Sequence, residues 1–305
     1  MAERHVIIGA GPVGRSVAAA LGERGAEVIL ASRSGAGTTV PGVTRVGVDA
    51  GDPEALTALA TGAAAVYNCV NPPRYDRWPE MWPPVSAALL TAAERSGAVL
   101  VTAGNLYPYG PVVGPMVEGM PDSAPGSKAQ VRARMTADAF AAHAAGKIRT
   151  VEVRGSDYLG AGPGDYAHIP RVIGAALAGK AVRVVGSADQ PHTWTDVRDM
   201  GRALAAVAVA ESAWGRVWHA PSNPPRTQRE AVTDVLASVG KPPVPVKPYP
   251  RAAMRALGLV SPMIRALGET EYQFTRPYVM DSTAITTELG LLPTDWDEVC
   301  LRTAR

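Results

Sequence analysis

Short apolar runs alternate with stretches of helical periodicity along the first half of the chain. Apolar runs rich in β-branched residues predict buried strands, whereas apolar positions three and four residues apart predict amphipathic helices. We predict strands near residues 4–10, 27–31, 44–49, 64–70, 98–103 and 149–154. Helices are predicted between them, near residues 12–24, 53–61, 79–96 and 126–146. Such alternation favours a parallel sheet with helices on both faces.

A glycine-rich turn joins the first predicted strand to the first helix. Gly9, Gly11 and Gly14 fit the pattern G-x-G-x-x-G, with Pro12 and Val13 between the last two. The first glycine permits a tight turn, the second lets the backbone approach a pyrophosphate, and the third lets the helix pack on the strand. Free N–H groups at the helix N-terminus bind the anion. The motif therefore predicts a dinucleotide site; a tight turn without a ligand is the alternative.

The second predicted strand ends in Ser32 and Arg33, where a unit that prefers NAD(H) carries an acidic residue. A carboxylate repels a 2′-phosphate, whereas a guanidinium binds that phosphate through two hydrogen bonds. We therefore predict NADP(H) as the cofactor, with Ser32 and Arg33 at its adenosine end. A solvated loop arginine is the alternative.

The second half of the chain is richer in loops, such as "GSDYLGAGPGDY". The segment 240–250 carries five prolines, which predicts a surface connection outside any sheet or helix. Shorter strands are predicted near 181–185 and 215–219, and helices near 169–179, 197–211, 226–239 and 280–289. Two helix starts carry capping signals: Asp52 precedes Pro53, and Asp199 is predicted to cap "MGRALAAVAVA".

The composition excludes several classes of protein. The 305 residues are 47% hydrophobic and 19% charged, with a formal net charge of +2 and interspersed acidic and basic residues. A nucleic-acid-binding protein is expected to show a basic patch, and a membrane protein an apolar run of about 20 residues; neither pattern occurs. We expect no signal peptide, because the first strand ends at Gly9. Cys69 and Cys300 lie far apart, which predicts neither a disulfide nor a zinc site and favours a cytoplasmic protein.

Several segments resemble the extended short-chain dehydrogenase/reductases, the NAD(P)-dependent epimerase/dehydratase family. They are "VGVDAGDPEAL", "AAVYNCVNPP", "LVTAGNLYPYG", "VRGSDYLGAG", "HTWTDVRDMGRAL" and "MDSTAITTELGLLPTDW", and together they cover nearly the whole chain. The resemblance implies that Asp49 contacts the adenine amine. It also implies that Asn68, Cys69 and Val70 line the adenosine side of the cofactor.

The catalytic residues typical of that family are replaced. Its members usually carry a serine or threonine, a tyrosine and, four residues later, a lysine. Alignment of "LYPYG" places Ala103 at the serine position, with Thr102 as the neighbouring hydroxyl, Lys128 at the tyrosine position and Arg132 at the lysine position. The chain is therefore identified as an atypical member. Its segment "SKAQVRARM" also resembles isoflavone-reductase-like and NmrA-like proteins, and in the reductases of that group the lysine is the proposed acid/base.

Lys128 is our first candidate for a proton donor. Reduction of a carbonyl requires a hydride and a proton, and an ammonium group supplies the proton while it stabilises the developing negative charge. Lys128 and Arg132 lie one helical turn apart and share a face, so like-charge repulsion is expected to make Lys128 a better donor. The alternative is that both side chains are solvated on the helix surface.

Tyrosines are the rival donors. Tyr107 and Tyr109 follow the fifth predicted strand, and Tyr158 lies at the exit of the sixth. A phenol with an ordinary pKa near 10 requires a cationic neighbour to act, and Lys128 is such a neighbour. Tyr107 alternatively serves in packing. The predicted catalytic set is therefore Lys128, Tyr107, Thr102 and Tyr158, and Lys128 is also expected to contact the cofactor.

An aromatic, proline-rich stretch at 71–84 follows the fourth strand, and ligands of open α/β sheets bind beyond the carboxyl ends of the strands. It predicts the wall of a pocket for a ring-bearing substrate, or else a contact with another subunit or with the C-terminal lobe. His192 stands where the family's nucleotide-sugar enzymes carry an arginine for the diphosphate, which counts against such a substrate. No histidines show ligand spacing, so we predict no metal site. The predicted pocket residues are Tyr75, Trp78, Trp82, Tyr109, His168 and His192.

The sequence thus predicts a doubly wound, Rossmann-type α/β fold. Residues 1–155 form the dinucleotide-binding domain, parts of 190–220 complete its sheet, and 156–305 mainly form a smaller substrate-binding lobe. The predicted function is NADP(H)-dependent reduction of a carbonyl, or of an activated C=C or C=N bond, in a small hydrophobic or ring-bearing molecule. An epimerase or dehydratase with tightly bound cofactor and a non-catalytic NmrA-like NADP(H) sensor remain alternatives. The resemblance also implies a homodimer packed through the helices near 79–96 and 126–146.

Overall fold

The computed structural model describes residues 2–37, 42–72, 74–164, 167–261, 265–266 and 268–305. Its strands are β1 Arg4–Ile8, β2 Glu27–Ser32, β3 Val43–Gly47, β4 Ala65–Asn68, β5 Val99–Asn105, β6 Thr150–Gly155, β7 Asp157–Leu159, β8 Val182–Val184, β9 Trp194–Asp196, β10 Val217–His219 and β11 Val246–Pro248. Its helices are α1 Pro12–Gly22, α2 Pro53–Ala60, α3 Trp78–Ser96, α4 Ser127–Ala144, α5 Pro170–Leu177, α6 Val197–Val207, α7 Gln228–Ala237, α8 Arg251–Val260, α9 Tyr272–Thr275, α10 Thr283–Leu289 and α11 Trp296–Thr303.

Seven parallel strands form the central sheet in the order β10-β6-β5-β4-β1-β2-β3. The chain runs outward from β1 to β3 and then crosses back to place β4 on the other side of β1. The carboxyl ends of β1 and β4 therefore border a crevice, and this reversal point is where open α/β sheets bind ligands. The predicted doubly wound α/β fold is confirmed.

Alternating residues of the strands face two helical layers. On one face Ile7 packs in a core with Leu21 of α1 and Leu204 of α6. On the other face Val6 and Ile8 pack with residues of α2 and α3. Helices α1 and α6 approach closely, because a Cβ at Gly201 would lie 2.5 Å from the backbone carbon of Ser16. The strands are hydrophobic on both sides, as buried parallel strands are.

A second core lies in the C-terminal part of the chain. Two short parallel pairs, β7 with β9 and β8 with β11, flank it. Its members come mainly from α5, α7 and α11, for example Ile173, Val235 and Val299. This core is separate from those of the large sheet. No helix in the described ranges has both the length and the apolar character needed to cross a membrane.

Two local predictions were wrong. Within 240–250, β11 pairs with β8 despite its prolines. Pro245 takes part only through its carbonyl, which accepts a hydrogen bond from Val182 N (2.9 Å), and the N–H that donates to Val184 O belongs to Tyr249 (2.9 Å). A proline at the edge of a sheet loses no ladder bond in this arrangement. Helix α6 is capped by Asp196, whose Oδ1 accepts from Arg198 N at 2.6 Å, and not by Asp199.

The capping prediction at α2 is confirmed, since Asp52 accepts hydrogen bonds from the N–H groups of Glu54 and Ala55. The aromatic stretch 71–84 is only partly a loop: Tyr75–Arg77 form a 3₁₀ turn, and α3 begins at Trp78 and includes Pro83 and Pro84. Pro73 of this stretch, and Asp165 and Tyr166 of "GSDYLGAGPGDY", lie outside the described residues.

Candidate functional site

The turn between β1 and α1 packs directly against the backbone that follows β4. Gly9 has φ +109°, and a Cβ there would overlap Cys69 O and lie 2.8 Å from Val70 N. A Cβ at Gly14 would overlap the carbonyl oxygen of Gly9. Only glycine fits at either position, so the turn requires the first and third glycines of the motif for steric reasons.

Gly11 differs from the other two glycines. It is the N-cap of α1 and has ordinary backbone angles, and a Cβ at this position would meet no atom within 4 Å. No side chain caps α1, and the first N–H groups of a helix, here those of Val13 and Gly14 after Pro12, have no partner within the helix. An open, uncapped helix N-terminus beside a bare backbone fits the pyrophosphate of a dinucleotide.

The carboxyl end of β2 lies at the edge of the same crevice. Ser32 accepts hydrogen bonds at its carbonyl from Gly35 N (3.2 Å) and Val48 N (2.9 Å). Arg33 is exposed, and no described residue forms a hydrogen bond or ion pair with its guanidinium. Asp49, after β3, is also exposed, and its Oδ1 accepts from Gly51 N at 2.9 Å. The guanidinium of Arg33 is therefore available to an anion.

The residues after β4 close the other side of the crevice. Asn68 is buried, and its Oδ1 accepts from Val70 N at 3.3 Å, which fixes the turn. Burial raises the pKa of the Cys69 thiol to about 12. A thiol in this state is a neutral, unreactive group at physiological pH, so this segment offers a ligand its backbone and shape.

Lys128 and Arg132 of α4 are both buried, so the alternative of two solvated side chains is wrong. Lys128 donates from Nζ to Glu269 Oε2, a residue of the C-terminal part that the sequence did not suggest. Only 2% of the Lys128 side chain is exposed, against 26% of Glu269. Burial alone raises the pKa of Glu269, but the bonds from Lys128 and Ser127 outweigh it, and that pKa lies below its ordinary value. The charged group in contact with Lys128 is therefore the Glu269 carboxylate, which attracts the ammonium.

Arg132 lies one turn further along α4, at the carboxyl end of β5. Its Nη2 donates to Ala103 O at 2.5 Å, and its guanidinium carbon lies 4.8 Å from the centre of the Trp82 ring. Thr102 and Arg132 line the same small cavity between the sheet and helices α3 and α4. The structure thus brings Thr102 and Arg132 together, and Lys128 lies one turn before Arg132 on α4.

The candidate phenols have pKa values above the ordinary one. Burial raises the pKa of Tyr158 and of Tyr107. The positive charge of Arg132 lowers the pKa of Tyr158 and of Tyr75, but by less than burial raises it. These side chains therefore remain neutral O–H donors in the free protein.

Four aromatic rings pack against one another at the start of α3 and after β5. Tyr75 stacks on Trp78 at 4.6 Å between ring centres, and Trp78 lies 6.1 Å from Tyr107 and 5.9 Å from Trp82. The two tryptophans are buried, and Trp78 Nε1 donates to Pro72 O at 3.1 Å. Tyr75 and Tyr107 are only half-buried. The tryptophans therefore form a supporting layer, and the tyrosines form the accessible surface.

Tyr109 does not join this aromatic cluster. Its ring lies 4.6 Å from the Arg154 guanidinium carbon, and its hydroxyl is 2.9 Å from His219 Nε2. His219 Nδ1 faces the carbonyl oxygen of Asp281 at 2.6 Å and must donate to it, so Nε2 accepts from Tyr109. The hydroxyl of Tyr109 is thus engaged inside the protein, contrary to the prediction that it contacts a substrate.

His168 and His192 lie beside a third residue that the sequence did not suggest, Asp157. The Asp157 carboxylate lies 2.9 Å from His192 Nε2 and 3.6 Å from His168 Nε2. His192 is stacked between aromatic rings and is 1% exposed, so it supports Asp157 and does not itself reach a ligand. Among the described residues, no group of three or more His, Cys, Asp or Glu side chains is arranged to hold a metal ion.

Solved structures with the same fold cover almost the whole chain. UDP-glucose 4-epimerase from Thermotoga maritima, solved with UDP-glucose, has a TM-score of 0.80 at 18% identity and covers 99% of this chain and 97% of that chain. The dTDP-glucose 4,6-dehydratase from Bacillus anthracis str. Ames, solved in complex with NAD, has a TM-score of 0.79 at 17% identity and covers 99% and 96%. An epimerase from Methanothermobacter thermautotrophicus has a TM-score of 0.81 at 18% identity and covers 100% and 91%.

Comparison with curated proteins finds no match to this sequence. The family model described as NAD dependent epimerase/dehydratase family matches residues 6–218, which is more than half of the chain and includes the glycine turn and α4. The protein therefore belongs to the NAD dependent epimerase/dehydratase family.

Proposed function

We propose that the protein is an NADP(H)-dependent reductase that acts on a carbonyl, or on an activated C=C or C=N bond, of a small ring-bearing molecule. Lys128 is the proton donor, and Glu269 is its partner. The observation that carries this proposal is the buried Lys128–Glu269 pair at the start of α4.

The crevice between β1 and β4 supports binding of a nicotinamide dinucleotide. Gly9, Gly11 and Gly14 would place backbone and the N-terminus of α1 against its pyrophosphate, and the dehydratase neighbour was solved with NAD. Asp49 and the segment Asn68 to Val70 would border the adenosine. When bound, the dinucleotide supplies or accepts the hydride.

Arg33 supports the choice of the phosphorylated form. Its guanidinium has no partner among the described residues and stands where an acidic residue would exclude a 2′-phosphate. The side chain of Arg45 reaches the same loop, where Nη1 donates to Ala36 O at 3.2 Å. Positive charge at this corner favours NADP(H) over NAD(H).

The ammonium of Lys128 would protonate the substrate oxygen. An Nζ proton of Lys128 would transfer to the substrate oxygen, which takes up the electron pair of the reduced C=O bond. Glu269 is the counter-charge of Lys128, and since Glu269 is partly exposed it also lies where solvent can return a proton. A buried, fixed charge of this kind stabilises a developing alkoxide better than a solvated one.

The neutral phenols remain the rival donors, and Arg132 would assist either group electrostatically. Tyr107 and Tyr158 retain their hydroxyl protons because burial raises their pKa values. Replacement of Lys128 separates the two hypotheses, since it removes the first donor and leaves both phenols in place.

The test is the consumption of NADPH with aromatic aldehydes and ketones as carbonyl probes. Lys128→Met is expected to lower kcat about 100-fold or more, the usual contribution of a general acid, while NADPH binding is retained. Lys147→Met, at an exposed lysine just after α4, is the matched control and should leave kcat unchanged. Normal turnover in Lys128→Met would eliminate Lys128 as the donor. NADPH binding without turnover of any probe by the wild-type protein would contradict the reductase and favour the sensor.

An epimerase or dehydratase is the second candidate, because the family and its solved neighbours include both activities. In such enzymes the hydride returns to the product, so no net cofactor is consumed. Stoichiometric loss of NADPH with a carbonyl probe therefore favours the reductase. Conversion of a probe without cofactor loss favours the isomerase type.

A further inference from the structure

The loop of residues 33–37 begins directly after β2 and folds back along β3. Gly35 lies beside the end of β3, because a Cβ at Gly35 would come within 2.8 Å of Gly47 N. Two residues further along the loop, Gly37 lies beside Arg45, which is two residues earlier on β3. The loop therefore runs along β3 in the direction opposite to that of the strand.

The side chain of Arg45 joins this loop to β3. Its Nη1 donates to Ala36 O at 3.2 Å. Its guanidinium also packs against Gly37, where a Cβ would lie 2.3 Å from Nη2 and 2.6 Å from Cζ. The bond from Gly35 N to Ser32 O (3.2 Å) is a local one, which connects the loop to the strand that precedes it. Arg45 thus connects the loop to the neighbouring strand.

The fit between the loop and β3 requires glycine at two positions. Gly35 has φ +65° and Gly37 has φ +138°, in a region that residues with a side chain rarely adopt. A Cβ at Gly35 would also collide with the backbone of Gly47, and a Cβ at Gly37 would collide with the guanidinium of Arg45. The loop is therefore shaped to lie against β3 with the Arg45 guanidinium in place.

We propose that Arg45 is a positioning residue for cofactor selection, which holds the loop so that Arg33 is presented to the 2′-phosphate of NADP(H). The inference rests on the proposed function for the identity of the cofactor and adds a second residue to its selection. Arg33 is exposed at the start of the loop, and an exposed side chain and its loop lose freedom when they bind a ligand. A loop already held against β3 lowers this cost, so Arg45 increases the affinity for the phosphorylated cofactor in particular.

The shape of the arginine side chain suits this role better than its charge alone. One nitrogen of Arg45 donates to the carbonyl of Ala36 while the rest of the group packs against Gly37. A lysine ammonium is a compact point charge without a planar extension of this kind. Arg45→Lys therefore keeps the positive charge and loses the contact with the loop, which separates positioning from a general electrostatic effect.

Calorimetry of the full-length protein with 2′,5′-ADP and 5′-AMP tests the proposal without turnover. The two probes differ only in the 2′-phosphate, so the ratio of their affinities measures selection at the adenosine end of the cofactor. The wild-type protein is expected to bind 2′,5′-ADP about tenfold or more tightly than 5′-AMP, the contribution of a hydrogen bond between charged groups. Arg45→Met and Arg45→Lys should each reduce this ratio about fivefold, the effect of ordering one long side chain, with unchanged affinity for 5′-AMP.

Two further variants complete the comparison. Arg183→Met is the matched control, because Arg183 also lies on a strand, β8, and its Nη1 donates to Pro248 O at the same distance of 3.2 Å. It should leave the ratio unchanged. Gly37→Ala changes no charge, but its methyl group collides with the guanidinium of Arg45, so it should reduce the ratio as Arg45→Met does.

A double-mutant cycle separates positioning from direct contact with the phosphate. If Arg45 acts through Arg33, Arg45→Met causes no further loss of 2′,5′-ADP affinity in the Arg33→Ala background. Losses that add in free energy overturn the positioning role and give Arg45 a phosphate contact of its own. Thermal unfolding of Arg45→Met should match that of the wild-type protein. A lower unfolding temperature with equal losses for both probes would mean that Arg45 only stabilises the fold, which also overturns the proposal.

The outcomes separate this inference from the proposed function. A wild-type ratio well above one that stays the same in Arg45→Met and Arg45→Lys overturns the inference and keeps NADP(H) as the proposed cofactor. A wild-type ratio near one overturns both the inference and the choice of NADP(H). A ratio that depends on Arg45 through Arg33, in a protein that consumes no NADPH, supports the inference and overturns the reductase.

Discussion

Lys128 and Glu269 form a buried ion pair across 141 residues of sequence. Lys128 is in the first turn of α4 in the sheet domain, and Glu269 precedes α9 in the C-terminal part, where it also accepts from Ser127 Oγ at 3.0 Å. The pair therefore joins the C-terminal part of the chain to the first turn of α4. Lys128 is more deeply buried than Glu269.

Loss of Glu269 is expected to cost more stability than loss of Lys128. Glu269→Gln leaves a charged ammonium buried without a counter-charge, which is expected to lower the free energy of unfolding by about 3 kcal/mol. Lys128→Met replaces the charge by an apolar chain of similar length, and the freed Glu269 is exposed enough to be solvated. Denaturant unfolding of both variants measures the order. Equal losses, or the opposite order, would show that the pair is already open to solvent.

Arg33→Ala is expected to change cofactor preference. If the guanidinium binds the 2′-phosphate, NADP(H) affinity falls about tenfold or more, while NAD(H) affinity stays nearly the same. Titration with both cofactors, with Arg95→Ala on α3 as a matched exposed control, measures this. Equal losses for NADP(H) and NAD(H) would refute the role of Arg33.

Alanine substitutions at two glycines of the first turn are expected to have different effects, one on the stability of the fold and the other on cofactor binding. At Gly14 a methyl group overlaps Gly9 O, so Gly14→Ala should destabilise the fold by about 3 kcal/mol or more. At Gly11 the methyl group meets nothing, so Gly11→Ala should fold with nearly normal stability but occupy the space needed by a pyrophosphate. Thermal unfolding and NADPH titration check the pair. Normal NADPH binding by Gly11→Ala would place the dinucleotide elsewhere.

Much of the fold was predictable because its signals are local. The apolar run before Gly9 and the capping Asp52 each specify an element from neighbouring residues alone, and β1 and α2 lie where predicted. The failures come from competition between equally good signals. Asp196 and Asp199 both stand at the start of α6, but tertiary bonds to Thr294 occupy Asp199 and leave the cap to Asp196.

The candidate site was harder to predict, because its polar residues meet only in three dimensions. Nothing near Asp157 marks a carboxylate that will lie between His168 and His192, and nothing near Glu269 marks a partner for Lys128. The cofactor turn was accessible from sequence since its three glycines fall within six residues. Dimerisation through α3 and α4 stays a prediction.

His168 is expected to make the protein less stable in mild acid. Burial lowers the pKa of His168 to about 4, assisted by Arg171 and opposed by Asp157, whereas the unfolded chain retains the ordinary value of 6.5. Between these values the unfolded state binds more protons than the folded state, so the stabilising contribution is complete above 6.5 and is lost as the pH falls toward 4. The slope due to one proton is about 1.4 kcal/mol per pH unit.

Replacement of His168 by glutamine removes this contribution. Denaturant unfolding at about pH 7 and about pH 5 should show a smaller loss of stability in His168→Gln than in the wild-type protein. The pKa values of His5 and His219 are also lowered by burial, and both residues remain in the two proteins, so their effect cancels in the comparison. If the free energy of unfolding depended on pH in the same way in both proteins, His168 would be solvated in the folded state. It would then not be a neutral imidazole beside Asp157.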